Sequence, residues 1–220
     1  GVGAGWQAAY VILYAAGRYA APVPLAETLL AGWLLDGAGL DIPDGVISVV
    51  PQHDTVILSS TGELQGVVPN VPWADRADYL VGLARKDGGL VVYCAPRTAY
   101  DAELNHNIAR EPRDLVRFTG SVDAAPASSN VTSNTMMLYG AMARSAQMAG
   151  ALERIVEDTL QYTADRTQFG RPISKFQVIQ QNMAMAAAEV AAAVMAAQNA
   201  FRAADRGVPD FEAACAKVLA

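Results

Sequence analysis

The chain has 220 residues, enough for one large or two small domains with a sizeable core. Hydrophobic side chains make up 52% and charged ones 17%, which excludes a disordered chain. Sixteen basic against twenty-two acidic residues give a net charge of −6, and no basic run exceeds Arg85-Lys86, so a nucleic-acid partner is not expected.

Cys94 and Cys215 lie far apart and His53 and His106 are the only histidines, so neither a zinc site nor a histidine-based triad has enough ligands. The expected metal content is none. The apolar stretch from Trp6 to Gly17 is shorter than the ~20 residues a membrane span needs. No leader is visible, so a soluble, cytoplasmic protein is expected. The chain opens at Gly1, without methionine, inside what already reads as one helical pattern and stops inside another. It reads as a piece of a longer protein.

Two helices are expected first, over 5–19 and 25–35, separated by Pro22-Val23-Pro24, because proline loses a hydrogen bond and clashes inside a helix. Gly1-Val2-Gly3-Ala4-Gly5 follows no strand and reads as a bland end rather than a dinucleotide loop. From about Val46 the texture changes to short β-rich runs, at 46–50, 55–59, 64–68, 79–84, 90–94 and 115–118, divided by turn residues. Arg85-Lys86-Asp87-Gly88-Gly89 predicts a tight hairpin, since Asp-Gly accepts the positive φ that such turns need. Strands without intervening helices point to an antiparallel barrel or sandwich.

From about Thr132 the pattern is helical. Ser133 or Asn134 is a candidate cap for a long helix reaching Arg166. Gly170-Arg171-Pro172 breaks it, and Ser174 with Gln177 reads as a capping box for a second long helix ending near Arg206, before Gly207 and Pro209. In that helix, 12 of the 22 residues of Met183–Ala204 are alanine, which suits close packing in a bundle or at a subunit interface. A third helical pattern begins at Phe211. The expected class is therefore α+β: N-terminal helices, a β module, and a C-terminal helical bundle. The expected divisions are 1–40, 41–126 and 127–220.

The most informative stretch lies between the two long helices and runs from Tyr162 through Arg166-Thr167-Gln168-Phe169-Gly170-Arg171-Pro172-Ile173 to Phe176-Gln177. It closely resembles the flavin-contacting segment of the acyl-CoA dehydrogenase family, whose usual order is Arg-x-Gln-Phe-Gly-x-Pro-Ile followed by Phe-Gln. Softer resemblances are Gly17-Arg18 with Pro22-Val23-Pro24, and the run from Leu64 through Trp73 to Val81. The helix, sheet, helix order also matches the family's fold.

The resemblance implies a non-covalently bound FAD and removal of hydrogen from the Cα–Cβ bond of an acyl-CoA thioester. It further implies an electron-transfer acceptor and assembly with a second copy or a homologous subunit. Arg166 is implied as the diphosphate contact, with Gln168 and Phe169 beside it and Phe176 and Gln177 as the second flavin pair. Gln177 carries two readings, flavin contact and capping-box partner. Where family members carry a Trp-x-Thr-like segment, this chain has Val67-Val68-Pro69-Asn70, with Trp73 a few residues on.

The family's base is a glutamate well downstream of Phe-Gln or, in a minority, near Gly140 here. Glycine cannot abstract a proton. Glu153 and Glu157 read as solvated or interface charges near Arg154, so no catalytic residue is assigned. Two alternatives accompany the dehydrogenase reading: a non-catalytic partner subunit of a mixed assembly, and a flavin oxidase or monooxygenase on the same fold.

Overall fold

The computed structural model describes residues 4–51, 55–132, 134–207 and 209–219. His53 and Ser133 fall outside that set. The chain separates into two compact units, residues 22–140 and residues 1–21 with 141–220.

In the unit of residues 22–140, helix α2 (Leu25–Ala38) packs on a sheet of eight strands. Apolar residues surround the helix, and Leu30, Ala31, Leu34 and Leu35 are buried. It ends where Gly39 takes a left-handed conformation, φ 71°, and the Leu40 N–H returns to the Leu35 carbonyl. The strands are β1 (Ile47–Val49), β2 (Ile57–Leu58), β3 (Leu64–Pro72), β4 (Tyr79–Lys86), β5 (Gly89–Pro96), β6 (Tyr100–Glu103), β7 (Arg113–Phe118) and β8 (Asp123–Pro126). Their order is β6-β7-β3-β2-β4-β5-β8, with β1 also on β4.

The α+β class holds, but the sheet is mixed rather than wholly antiparallel. Strands β1 and β2 both run parallel to β4, pairing with its two ends. Pairing direction leaves no trace in a period-2 pattern, which reports only the face a side chain occupies. Strands β6 and β8 were also not expected. The β4–β5 hairpin is as expected: Asp87 (φ 48°) and Gly88 (φ 81°) form the two-residue turn between Lys86 and Gly89. The sheet buries a core that includes Val50, Leu64, Val68, Leu80, Tyr93, Val116 and Phe118. The Tyr93 and Phe118 rings meet edge to face at 5.6 Å.

The second unit is helical: α1 (Trp6–Arg18), α3 from residue 141 to its end (the whole helix is Thr135–Asp165), α4 (Gln177–Ala204) and α5 (Asp210–Leu219). Asp205, at the end of α4, caps the start of α1 by accepting from the Trp6 and Gln7 N–H groups at 2.6 and 3.2 Å. The rings of Trp6 and Tyr10 pack edge-on against Phe201. Helices α1 and α3 cross at backbone contact. A Cβ at Gly17 would lie 1.8 Å from the Gln147 carbonyl oxygen, and one at Gly150 would lie 2.1 Å from that of Tyr14.

Away from that crossing the two long helices are barely covered. Between residues 177 and 192 of α4 no residue is buried, and between residues 151 and 165 of α3 only Thr163 is. Helix α4 is long and apolar enough to span a membrane by length and composition, with 28% of its most apolar window buried.

Candidate functional site

The link between α3 and α4 is a β-hairpin. Strand β9 (Thr167–Gln168) pairs with β10 (Arg171–Pro172), Gln168 opposite Arg171 and Thr167 opposite Pro172. The Ile173 N–H continues the ladder to the Arg166 carbonyl at 2.8 Å. Phe169 and Gly170 form the turn with φ 50° and 76°, the left-handed pair of a two-residue hairpin loop. Glycine accepts that conformation freely, but phenylalanine is strained in it. The strained residue is also the exposed one, at 93%.

Directly opposed residues of an antiparallel pair share a face, as do residues two apart on one strand. Arg166, Gln168 and Arg171 therefore occupy one face of the hairpin. From Arg166 to Gln177 the sequence holds Arg166, Arg171 and Lys175 and no acid. Asp165, just before, is engaged by the Gln161 amide at 2.9 Å. The hairpin is thus a local excess of positive charge on a net-negative chain.

Phe176 lies beside this face. The Arg171 guanidinium sits 4.4 Å from its ring centroid, and Phe169 meets it edge to face at 6.2 Å. The predicted capping box is not formed. A 3₁₀ turn occupies Ile173–Lys175, and α4 starts two residues later than Ser174 could cap, with Phe176 at its N-cap and no side-chain cap bond. The Ser174 carbonyl instead accepts from the Gln180 amide at 3.0 Å. Gln177 thereby loses its structural explanation and stands exposed at an uncapped helix start with no acid in the first turn. The structure thus gathers Arg166, Gln168, Phe169, Phe176 and Gln177 within one short hairpin and helix start.

Glu153 and Glu157 are interface charges, as one of the two readings had it, but their partner is not the nearby Arg154, which pairs with Asp158 on the same helix at 2.9 Å. Glu153 and Glu157 both engage Arg18, each at 2.6 Å, and the Tyr14 hydroxyl donates to Glu153. Burial, reinforced by that bond, pushes the Tyr14 hydroxyl pKa well up. These glutamates serve the α1–α3 crossing. The sequence hid this because Arg18 is 135 residues away from Glu153.

In the sheet unit, the segment after Val67 also carries unusual backbone. The β3–β7 register shifts between Val68 and Val71, which pushes out Pro69 and Asn70 (φ 60°). Trp73 is buried with φ 57° and carries the Arg76 guanidinium 5.9 Å from its ring. Neighbours fix the segment: Ser48 Oγ donates to the Pro72 carbonyl at 2.5 Å, and buried Asp114 accepts from the Asp75 N–H at 2.9 Å. No sequence signal marked Trp73 for a left-handed backbone. At Gly140 an added Cβ would meet nothing within 4 Å, while Tyr139 stacks on Trp33 at 4.4 Å.

Residues 130–220 match the family model described as the acyl-CoA dehydrogenase C-terminal domain. Over 193 residues the chain is 26% identical to the acyl-CoA dehydrogenase IpdE2 of Mycolicibacterium smegmatis, covering 88% of this chain and 56% of that protein. It therefore spans just over half the length of that relative. Among solved structures, a variant of the Tcur3481–Tcur3483 steroid ACAD superposes with a TM-score of 0.86 at 23% identity, covering 100% of this chain and 67% of that one. The ChsE4–ChsE5 complex of Mycobacterium tuberculosis gives 0.83 at 22%, covering 96% and 64%. Those two likenesses establish the fold, the matched model identifies residues 130–220 as an acyl-CoA dehydrogenase C-terminal domain, and together with the curated relative they support a member of the acyl-CoA dehydrogenase family.

Proposed function

We propose that the protein to which this chain belongs is an FAD-dependent acyl-CoA dehydrogenase subunit that removes hydrogens from the Cα–Cβ bond of an acyl-CoA thioester. The observation that carries this reading is the hairpin of residues 166–173, a preformed, acid-free face with an exposed and strained aromatic at its tip. An arginine fork matches phosphate oxygens, and the uncapped start of α4 adds a partial positive charge beside it. The residues present fit a flavin dinucleotide. Arg166 and Gln168 would donate to the diphosphate, while Phe169, Phe176 and Gln177 would flank the flavin. When bound, FAD supplies the hydride acceptor for the reaction.

Glu153 and Glu157 are committed to Arg18, so neither is assigned the α-proton. That base is assigned to a carboxylate from sequence outside these 220 residues or from a homologous subunit. Gly140, with open space beside it, supports a second reading in which this subunit is the non-catalytic member of a mixed pair. The uncovered apolar surface of α3 and α4, including Ile155, Leu160, Val178 and Met185, fits helices of another subunit rather than lipid. We place the assembly in the cytoplasm, passing electrons to a separate acceptor.

The test is the flavin itself. The full-length protein, purified with any co-encoded homologue, should show a flavin absorption spectrum. Arg166→Ala should weaken FAD binding about 10- to 100-fold, the loss of a charge-assisted contact. A colourless protein after reconstitution with excess FAD would sink the cofactor assignment.

A further inference from the structure

Beyond the residues assigned above, we propose that Arg171 is a second cation of the diphosphate site, held ready by its stack on Phe176. The inference rests on reading the hairpin as a dinucleotide contact. Register places Arg171 directly opposite Gln168, on the face that also carries Arg166. Two guanidinium groups and an amide thus share one side of a two-stranded ribbon.

Stacking is what makes Arg171 suited to the task. Its guanidinium carbon lies over the Phe176 ring, 4.4 Å from the centroid, so the cation rests on the aromatic face. The N–H donors lie in the guanidinium plane, where the stack leaves them open to phosphate oxygens. A flexible cation would lose side-chain freedom on meeting an anion, whereas one already fixed on an aromatic loses less. No acid follows within the segment to Gln177, and among the described residues no ion pair engages Arg171. Phe169, edge-on to the same ring, closes the stack. The Phe176 ring is thereby fixed by two neighbours, so each substitution in the trio disturbs the others.

The ligand chemistry is a diphosphate, which FAD and CoA both carry, and the experiment separates the two. Equilibrium binding of FAD, riboflavin and CoA is measured for the full-length assembly as wild type, Arg171→Ala and Arg171→Lys, with circular dichroism confirming each fold. Arg171→Ala is expected to weaken FAD about 10-fold, flatten its salt dependence, and leave riboflavin unchanged. Arg171→Lys, which keeps the charge without the planar stack, should fall between.

If only CoA binding weakens, Arg171 serves a diphosphate but the flavin reading of the hairpin fails. Equal weakening of FAD and riboflavin would make Arg171 a mere support for Phe176 and overturn the proposal. So would unchanged affinity for both FAD and CoA. Wild-type protein that binds no FAD defeats the function proposed above. Wild type that binds FAD beside an indifferent Arg171→Ala defeats only this inference.

Discussion

The sheet unit and the helical unit bury apolar surface in opposite ways. The sheet closes around large side chains such as Leu80, Tyr93 and Phe118, which fill a thick core of their own. The buried residues of the helical unit are mostly alanines, among them Ala143, Ala146, Ala149, Ala193, Ala197 and Ala200, with Leu13, Met142 and Phe201 as the large exceptions, and the unit leaves the hairpin end of α3 and α4 nearly bare. Large residues tolerate small shifts in spacing, whereas an alanine core gains contact only when backbones touch. One unit is finished by its own sequence; the other is held tightly at one end and left to be covered at the other.

The sharpest way to break this contrast is at the α1–α3 crossing. Gly150→Val places side-chain atoms against the Tyr14 carbonyl and should cost about 3 kcal/mol or more. Gly140→Ala, on the same helix but facing open space, should gain about 0.5–1 kcal/mol from helix propensity. Urea midpoints of the two variants decide the matter. Similar values would show that the crossing is not held by backbone contact.

Alkaline pH probes the sheet unit. Burial, with Asp123 adding to it, pushes the Cys94 thiol from 9.0 up to about 11, and burial pushes the Tyr100 hydroxyl from 10.0 up to about 12. Both groups hold their protons longer folded than unfolded. Their contribution is whole below pH 9 and is lost as pH rises through 11 and 12. Urea unfolding followed by proteolysis across residues 64–118 should show the midpoint falling in that window. A flat midpoint from pH 8.5 to 11 would contradict it.

The smallest effect expected is at Tyr93. Its hydroxyl is buried, has no hydrogen-bond partner among the described residues, and sits where a Cβ on Gly82 would lie 2.6 Å away. Burial drives its pKa upward. Removing an unpaired buried hydroxyl relieves its desolvation cost, so Tyr93→Phe should stabilise by up to about 1 kcal/mol, read from the urea midpoint. A loss of stability would reveal a partner for that oxygen.

Helices and most strands were readable because their signals are local. Pro22 and Pro24 part the first two helices, Asp87-Gly88 turns the β4–β5 hairpin, and Gly207 follows the end of α4. The hairpin at Phe169-Gly170 was legible only as a helix break, since phenylalanine is a poor residue for its conformation. Resemblance rather than propensity marked it as a site. The capping box misled because Ser174 has the right neighbours but lies in the 3₁₀ turn before α4. What stayed hidden rests on distant pairs: Arg18 with Glu153, Asp205 with Trp6, and β1 alongside β4. No window along a chain reports which remote segment will arrive.

The Asp205 cap has a consequence for how the chain is made. Trp6 and its cap are 199 positions apart, so α1 leaves the ribosome long before the carboxylate that terminates it exists. At about 5–20 residues per second the wait is on the order of 10–40 s. Throughout that interval the apolar stripe of α1, with Trp6, Tyr10 and Leu13, has neither its cap nor Phe201 to rest on. Helix α1 is therefore among the last of these helices to settle, and its exposure to chaperones is set by the time needed to translate everything between.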